Sequence, residues 1–212
     1  MKETIKDWKE EISAMFGGDD NLQDNHKAVP VPERLKKHKK VAIITGDDVE
    51  DIELFYPYYR FHEEGYDVDV ITIKGGEVKG KHGLGLKESK SILDVHSKDY
   101  DLLYLPGGKA PEKLRDNERV LNFVREFTNS GKLIAAVCHG PQILVSAGVI
   151  KGKKIAAWPA VKEEIEKAGG IYANEALKED GQFITARKPG DLHRHLYGVF
   201  DCLNSNKEKK TS

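Results

Sequence analysis

From Lys39 onward the chain alternates short, wholly apolar runs with helix-length segments, and that rhythm restricts it to an α/β domain on a mostly parallel sheet. Val41-Ala42-Ile43-Ile44-Thr45, Leu102-Leu103-Tyr104-Leu105 and Leu133-Ile134-Ala135-Ala136-Val137 have almost no polar face, so each suits a strand covered on both sides. Alternation predicts a further strand over 67–73, and short strands near 154–157, 171–173 and 182–185. Helices are expected over about 49–64, 118–129, 142–147, 161–168 and 191–203. Asp47 or Asp48 caps the first of these and Gly65 stops it. Glycines at 75, 76, 80, 83 and 85 punctuate a hairpin over 77–88. Sites in such sheets gather beyond the carboxyl ends of strands. Three marked loops fall there, at 46–50, 106–112 and 138–141.

A length of 212 residues fits one core-forming domain. Residues 1–38 read as an extension. Ile5, Trp8, Ile12 and Met15 or Phe16 share one helical face, and a Pro-containing linker follows. That helix is either docked or part of a mobile tail. The α/β domain spans 39–204, and 205–212 is a polar tail. With 34 Lys+Arg against 35 Asp+Glu, no global field favours nucleic acid or an acidic membrane. No apolar stretch approaches the roughly 20 residues that span a bilayer. The 2 cysteines, Cys138 and Cys202, lack framework spacing, so a disulfide scaffold or zinc knuckle is not expected. A reducing compartment, the cytoplasm, is the expected location.

Cys138-His139-Gly140-Pro141, between the most apolar strand and a helix, has the layout of a nucleophile elbow. The turn lifts the sulfur clear of the backbone, and the helix N-terminus favours thiolate. The next N–H faces a developing oxyanion. A Cys in that place is equally a small buried hydrophobe. His139 is an acid, base or thiol partner, or else satisfies a backbone carbonyl. Glu50 is either an ordinary first-turn carboxyl or one aimed across the rim at Cys138. Gly107 and Gly108 offer exposed backbone N–H groups or a plain turn. Arg187 binds a substrate carboxylate or forms a surface salt bridge. His193 and His195, at i and i+2, do not share a helix face and are no metal pair.

Taken together, Val49-Glu50-Asp51-Ile52-Glu53-Leu54 with Tyr56-Pro57-Tyr58, Leu105-Pro106-Gly107-Gly108-Lys109-Ala110-Pro111-Glu112 and Ala136-Val137-Cys138-His139-Gly140-Pro141-Gln142-Ile143-Leu144 resemble the PfpI family. That family lies in the class I glutamine-amidotransferase-like superfamily, with the Parkinsonism-associated deglycase. The resemblance covers residues 40–203. It implies a flavodoxin-like three-layer α/β/α sandwich, with Cys138 as nucleophile, His139 beside it and Glu50 contacting the sulfur. It implies an oxyanion hole near Gly107, Gly108 and His139. In the protease-like branch it implies that a glutamate at the Glu112 position reaches a neighbour's cysteine, in dimers to hexamers. Trp158 stands where that branch has a tyrosine, at the substrate-binding side, and an indole N–H donates from another place.

The leading expectation is a cysteine-dependent stress or repair enzyme acting on reactive carbonyls, as a glutathione-independent glyoxalase or a deglycase. It would take a small carbonyl compound or a glycated protein, with no metal or organic cofactor. Two alternatives stand beside it. One is an intracellular peptidase for short or unfolded chains, with an intersubunit Cys-His-Glu triad. The other is a non-catalytic redox sensor or holdase.

Overall fold

The computed structural model describes residues 26–28 and 31–205. The expected amphipathic helix near the amino terminus and most of the polar tail lie outside them. Eleven strands and six α-helices follow the order β1 (Lys40–Ile44), α1 (Asp51–Glu63), β2 (Asp67–Thr72), β3 (Val78–Lys79), β4 (Gly85–Leu86), β5 (Lys90–Ser91), β6 (Leu102–Leu105), α2 (Ala110–Leu114), α3 (Glu118–Asn129), β7 (Leu133–Val137), α4 (Pro141–Ala147), β8 (Lys154–Ala156), α5 (Lys162–Lys167), β9 (Ile171–Ala173), β10 (Lys178–Asp180), β11 (Phe183–Ala186) and α6 (Leu192–Ser205), among the described residues.

Seven strands form the main sheet in the order β10-β11-β7-β6-β1-β2-β5. Every pairing is parallel except the β10–β11 hairpin at one edge. The three apolar runs occupy the centre as β1, β6 and β7, and the four residues of β6 and five of β7 are buried throughout. Their side chains have no solvated face, which is why the runs carry no alternation. The helices fall into two groups. α1 touches α6, while α4 packs against α2, α3 and α5. The architecture is the mostly parallel, helix-flanked sheet expected from the sequence.

Some elements differ from expectation. β8 and β9 leave the main sheet and pair with each other in parallel. β10, with the polar sequence Lys-Glu-Asp, adds an edge strand where none was expected. The loop after β6 winds into α2, with Pro111 in its first turn. Glu50, not Asp47 or Asp48, holds the N-cap position of α1. Neither aspartate caps it: Asp47 Oδ1 accepts the Lys79 N–H at 3.0 Å, and Asp48 takes a positive φ of 66°. Its end follows expectation. Gly65, at φ 81°, reverses the chain, and the Tyr66 N–H reaches back to the Phe61 carbonyl at 3.0 Å.

Candidate active site

The carboxyl ends of β1, β6 and β7 bring the three marked loops to one rim. The β7–α4 turn supplies Cys138 at φ 59°, one of three non-glycine residues with positive φ among those described. A side chain in that region is strained, and such strain clusters at functional turns. The turn is held from both flanks: Gly140 N–H donates to the Val137 carbonyl at 2.8 Å, and Cys138 N–H to the Ala186 carbonyl at 3.1 Å. Gly140 is required by space, since a Cβ there would overlap the Leu105 carbonyl oxygen of the adjoining strand. The sulfur is nearly enclosed, with Cys138 only 6% exposed.

The carboxyl at the sulfur is that of Glu53. Fully buried in the first turn of α1, it lies within hydrogen-bonding range of the thiol, and its Oε2 accepts the Gly107 N–H at 2.8 Å. Glu50, the residue expected there, faces the rim instead. Its oxygens lie 3.5 Å from Lys81 Nζ and 3.2 Å from His82 Nε2. Between them, Asp51 accepts the N–H groups of His82 (2.7 Å) and Leu84 (2.9 Å), and so pins the 80–84 loop against the start of α1. Three acidic residues within four positions thus take three tasks: rim charge, loop anchor and thiol partner. A helical turn rotates about 100° per residue, which separates them.

Electrostatics bind Glu53 and Cys138 into one unit. Burial pushes the Glu53 carboxyl up to about 7, opposed by the Gly107 N–H and the thiol. The Cys138 thiol is pushed well above its ordinary value, first by burial and then by the Glu53 charge and hydrogen bond. The N–H groups of His139 and Gly108 oppose the shift. A resting thiolate held by a helix N-terminus, the expectation from sequence, is therefore outweighed. Near neutral pH the thiol keeps its proton and Glu53 exchanges one with its surroundings. When Glu53 is protonated its carboxylate field vanishes, and the sulfur ionises more easily.

His139 lies beside the sulfur, with Nδ1 3.3 Å from Sγ. Burial lowers its proton affinity, against the fields of Glu112 and Glu164, so a neutral ring stands next to the thiol at pH 7. Trp158 is fixed to the elbow by its backbone N–H, which donates to the Cys138 carbonyl at 2.9 Å. Its ring lies 6.1 Å from that of His139 and is 39% exposed. An aromatic wall thus stands at the mouth of the site.

The two glycines after β6 have different tasks. Gly107 N–H is committed to Glu53, so it is not a free oxyanion donor. A Cβ on Gly107 would come within 2.7 Å of Glu53 Oε2 and 2.9 Å of Cys138 Cβ. Gly108, at φ 76°, turns its N–H to the sulfur together with that of His139. Those two amides are the donors available to an oxyanion.

Arg187 does not enter this cluster. Its Nε and Nη2 grip Asp191 at 2.9 and 3.3 Å, and Nη1 reaches Asn174, just after β9, at 3.1 Å, so the guanidinium is engaged by neighbouring loops. The structure favours the salt bridge over a substrate contact. Glu112 is exposed in the first turn of α2, and its carboxylate has no hydrogen bond or ion pair among the described residues. His195 is buried and His193 exposed, as their i, i+2 spacing requires. Glu53 itself was not singled out from sequence. The available signal was its place on the buried face that carries Leu54, Pro57, Tyr58 and Phe61.

Comparison with known proteins agrees with this geometry. The family model described as the DJ-1/PfpI family matches residues 39–198. The chain is 40% identical over 154 residues to Deglycase PH1704 of Pyrococcus horikoshii, covering 73% of this chain and 93% of that protein. It is 40% identical over 157 residues to protein/nucleic acid deglycase 2 of Escherichia coli, covering 73% and 91%. Among solved structures, Drosophila melanogaster DJ-1beta superposes with a TM-score of 0.71 at 26% identity, over 76% of this chain and 88% of that one. The fold, the strained cysteine turn and these likenesses agree, and the chain belongs to the DJ-1/PfpI family.

Proposed function

We propose that this chain is a cysteine-dependent repair enzyme for reactive carbonyls, acting as a deglycase on early glycation adducts and as a glyoxalase on small ketoaldehydes. The relatives named as deglycases support the reaction class. The observation that carries it is the buried Glu53–Cys138 pair, in which a carboxyl titrating near neutrality faces the thiol.

With methylglyoxal as the small substrate, Cys138 Sγ adds to the aldehyde carbon while the carbonyl oxygen takes a proton, giving a hemithioacetal. The Gly108 and His139 amides stabilise the oxyanion as it develops. Glu53 in its carboxylate form removes the proton from that carbon and returns it to the neighbouring carbon, while the hemithioacetal hydroxyl proton passes to the ketone oxygen, leaving a lactoyl thioester. Water then hydrolyses the thioester, releasing lactate and restoring the thiol. No electron acceptor enters this sequence. On a glycated amine, the same sulfur attacks the adduct carbon and the amine leaves. Trp158 stands beside His139 at the elbow, and a sulfur only 6% exposed favours small carbonyl groups over folded polypeptide. A thiol kept for catalysis needs a reducing compartment, and we place the protein in the cytoplasm.

Glu112 favours one second reading. An exposed carboxylate with no partner among the described residues, whose field reaches its own chain's His139, suits a contact with a second copy. In such an oligomer, Cys138, His139 and a neighbour's Glu112 would hydrolyse short peptides.

The deciding experiment offers methylglyoxal without glutathione, a glycated peptide and casein to the wild type and to Cys138→Ser. Lactate and freed amine are expected from the wild type alone, with casein intact. Casein cleavage that Glu112→Ala removes, with no lactate, would transfer the assignment to the peptidase.

A further inference from the structure

The loop over residues 80–84, between β3 and β4, is tied to the site and carries two basic side chains to its rim. The Lys81 N–H donates to the Val49 carbonyl at 2.8 Å, and the Gly80 N–H to the Leu84 carbonyl at 2.7 Å. Asp51, itself buried, holds the His82 and Leu84 N–H groups, and a Cβ on Gly80 would overlap its carboxylate. Val49 bridges to Gly80 on one side and to Gly108 on the other. One residue thus links this loop to the glycine whose N–H faces the sulfur.

The side chains placed in this way meet at Glu50. Lys81 Nζ lies 3.5 Å from its Oε2, and His82 Nε2 lies 3.2 Å from its Oε1. The Glu50 N–H in turn points to the Gly107 carbonyl at 3.5 Å, which sets this cluster against the loop that lines the thiol. The Lys81 charge reaches both Glu53 and His139, the two side chains at the sulfur. One carboxylate therefore answers two basic groups. It is mostly covered, at 18% exposure, whereas the Lys81 side chain is 45% exposed and that of His82 60%. Ion pairs this open to solvent contribute little, so an incoming anion competes with Glu50 on even terms. An anion at the sulfur itself would meet the Glu53 carboxylate, so its place is outward, at the rim.

We propose that Lys81 and His82 are specificity-determining residues that select carbonyl substrates and adducts carrying a carboxylate close to the reacting carbon, as an adduct on the amino group of a free amino acid does. This rests on Cys138 as the attacking group of the carbonyl chemistry above, and it narrows the substrate class of that site.

The test uses the same sulfur and needs no turnover. Iodoacetate and iodoacetamide offer Sγ the same carbon. In both reactions the sulfur bonds to that carbon, iodide leaves and the thiol proton passes to solvent. The reagents differ in the group beside the carbon, a carboxylate or a neutral amide. Alkylation of Cys138 by each is followed by mass spectrometry in wild type, Lys81→Met and Glu50→Gln, all with native circular dichroism. The readout is the rate with iodoacetate divided by the rate with iodoacetamide. A change in thiol ionisation alters both rates alike and drops out of this ratio. Cys202, half-buried on α6, is the internal reference. Lys81→Met should lower the Cys138 ratio by about threefold or more, the scale of one solvent-exposed charge contact. Glu50→Gln removes the competing carboxylate and should raise it, while the Cys202 ratio stays constant. An unchanged Cys138 ratio in Lys81→Met, or a fall in Glu50→Gln, would overturn the proposal. Failure to form lactate from methylglyoxal would remove the carbonyl reading and leave the anion selectivity measured here intact. An unchanged ratio would remove the selectivity and leave the carbonyl reading.

Discussion

Glu53 is the residue on which the site turns, and its environment is built from groups that do not react. Gly107 is the most exacting of these. Its N–H holds Glu53 Oε2, and its missing side chain leaves room for Glu53, His139 N and Cys138 Cβ, all within 3 Å of where a Cβ would stand. Gly107→Ala should therefore displace the carboxyl from the sulfur. A misplacement of this kind costs about 100-fold in rate. We expect kcat/KM with methylglyoxal to fall by that order while the circular dichroism spectrum stays native. Wild-type turnover in Gly107→Ala would mean that the Gly107–Glu53 contact does not position the carboxyl.

Among the elements, the β7–α4 turn carries the strain and the adjoining strand supports it. Gly140 is the point of closest approach, directly over the Leu105 carbonyl. Gly140→Ala forces the turn away from β6, and overpacking of this kind costs about 1–3 kcal/mol. Its melting temperature should drop, with loss of Cys138 reactivity toward alkylating agents. A variant as stable and as reactive as the wild type would show that the turn has slack. This element was legible in the sequence, because a wholly apolar strand, a small nucleophile and Gly-Pro have few other solutions. The central strands and the Gly65 stop were legible for similar reasons of burial and backbone freedom. The Glu50–Glu53 distinction was not. Both are carboxylates near one helix start, and which one meets the sulfur depends on where α1 begins and how it is rotated over the sheet. α2 was hidden by Pro111, which reads as a loop residue yet is tolerated in a first helical turn. β10 was hidden because an edge strand needs no apolar face, and the Arg187–Asp191 pair because a guanidinium looks the same whether free or engaged. Tyr104 reads as a core-strand residue and His195 only as half of a rejected metal pair, since nothing local marks an unpaired buried polar atom.

For the whole molecule, Glu53 and His195 set opposing pH slopes. Glu53 is raised from 4.5 to about 7 in the fold, so the native state binds more protons than the unfolded chain, and stability falls as pH rises across that range. His195 is lowered from 6.5 to about 4, so the native state binds fewer, and stability falls as pH drops across that range. Each contribution is on the order of 3 kcal/mol, and over the shared span they cancel. Glu53→Gln removes one slope and exposes the other. Its melting temperature should rise relative to wild type as pH goes from 4.5 to 7, and it should be the more stable protein at pH 8. Parallel curves for the two proteins at every pH would remove the buried titration from the account.

The most direct measurement compares Glu53→Gln with Glu50→Gln, both folded, as kcat/KM for lactate formation from methylglyoxal. If Glu53 moves the substrate proton, its variant loses about 10²–10⁴-fold, the range of a general acid–base group. Glu50→Gln, which only trims charge at the rim, stays within about tenfold of wild type. The reverse ranking, with Glu50→Gln inactive and Glu53→Gln near normal, would contradict the assignment of the thiol's partner.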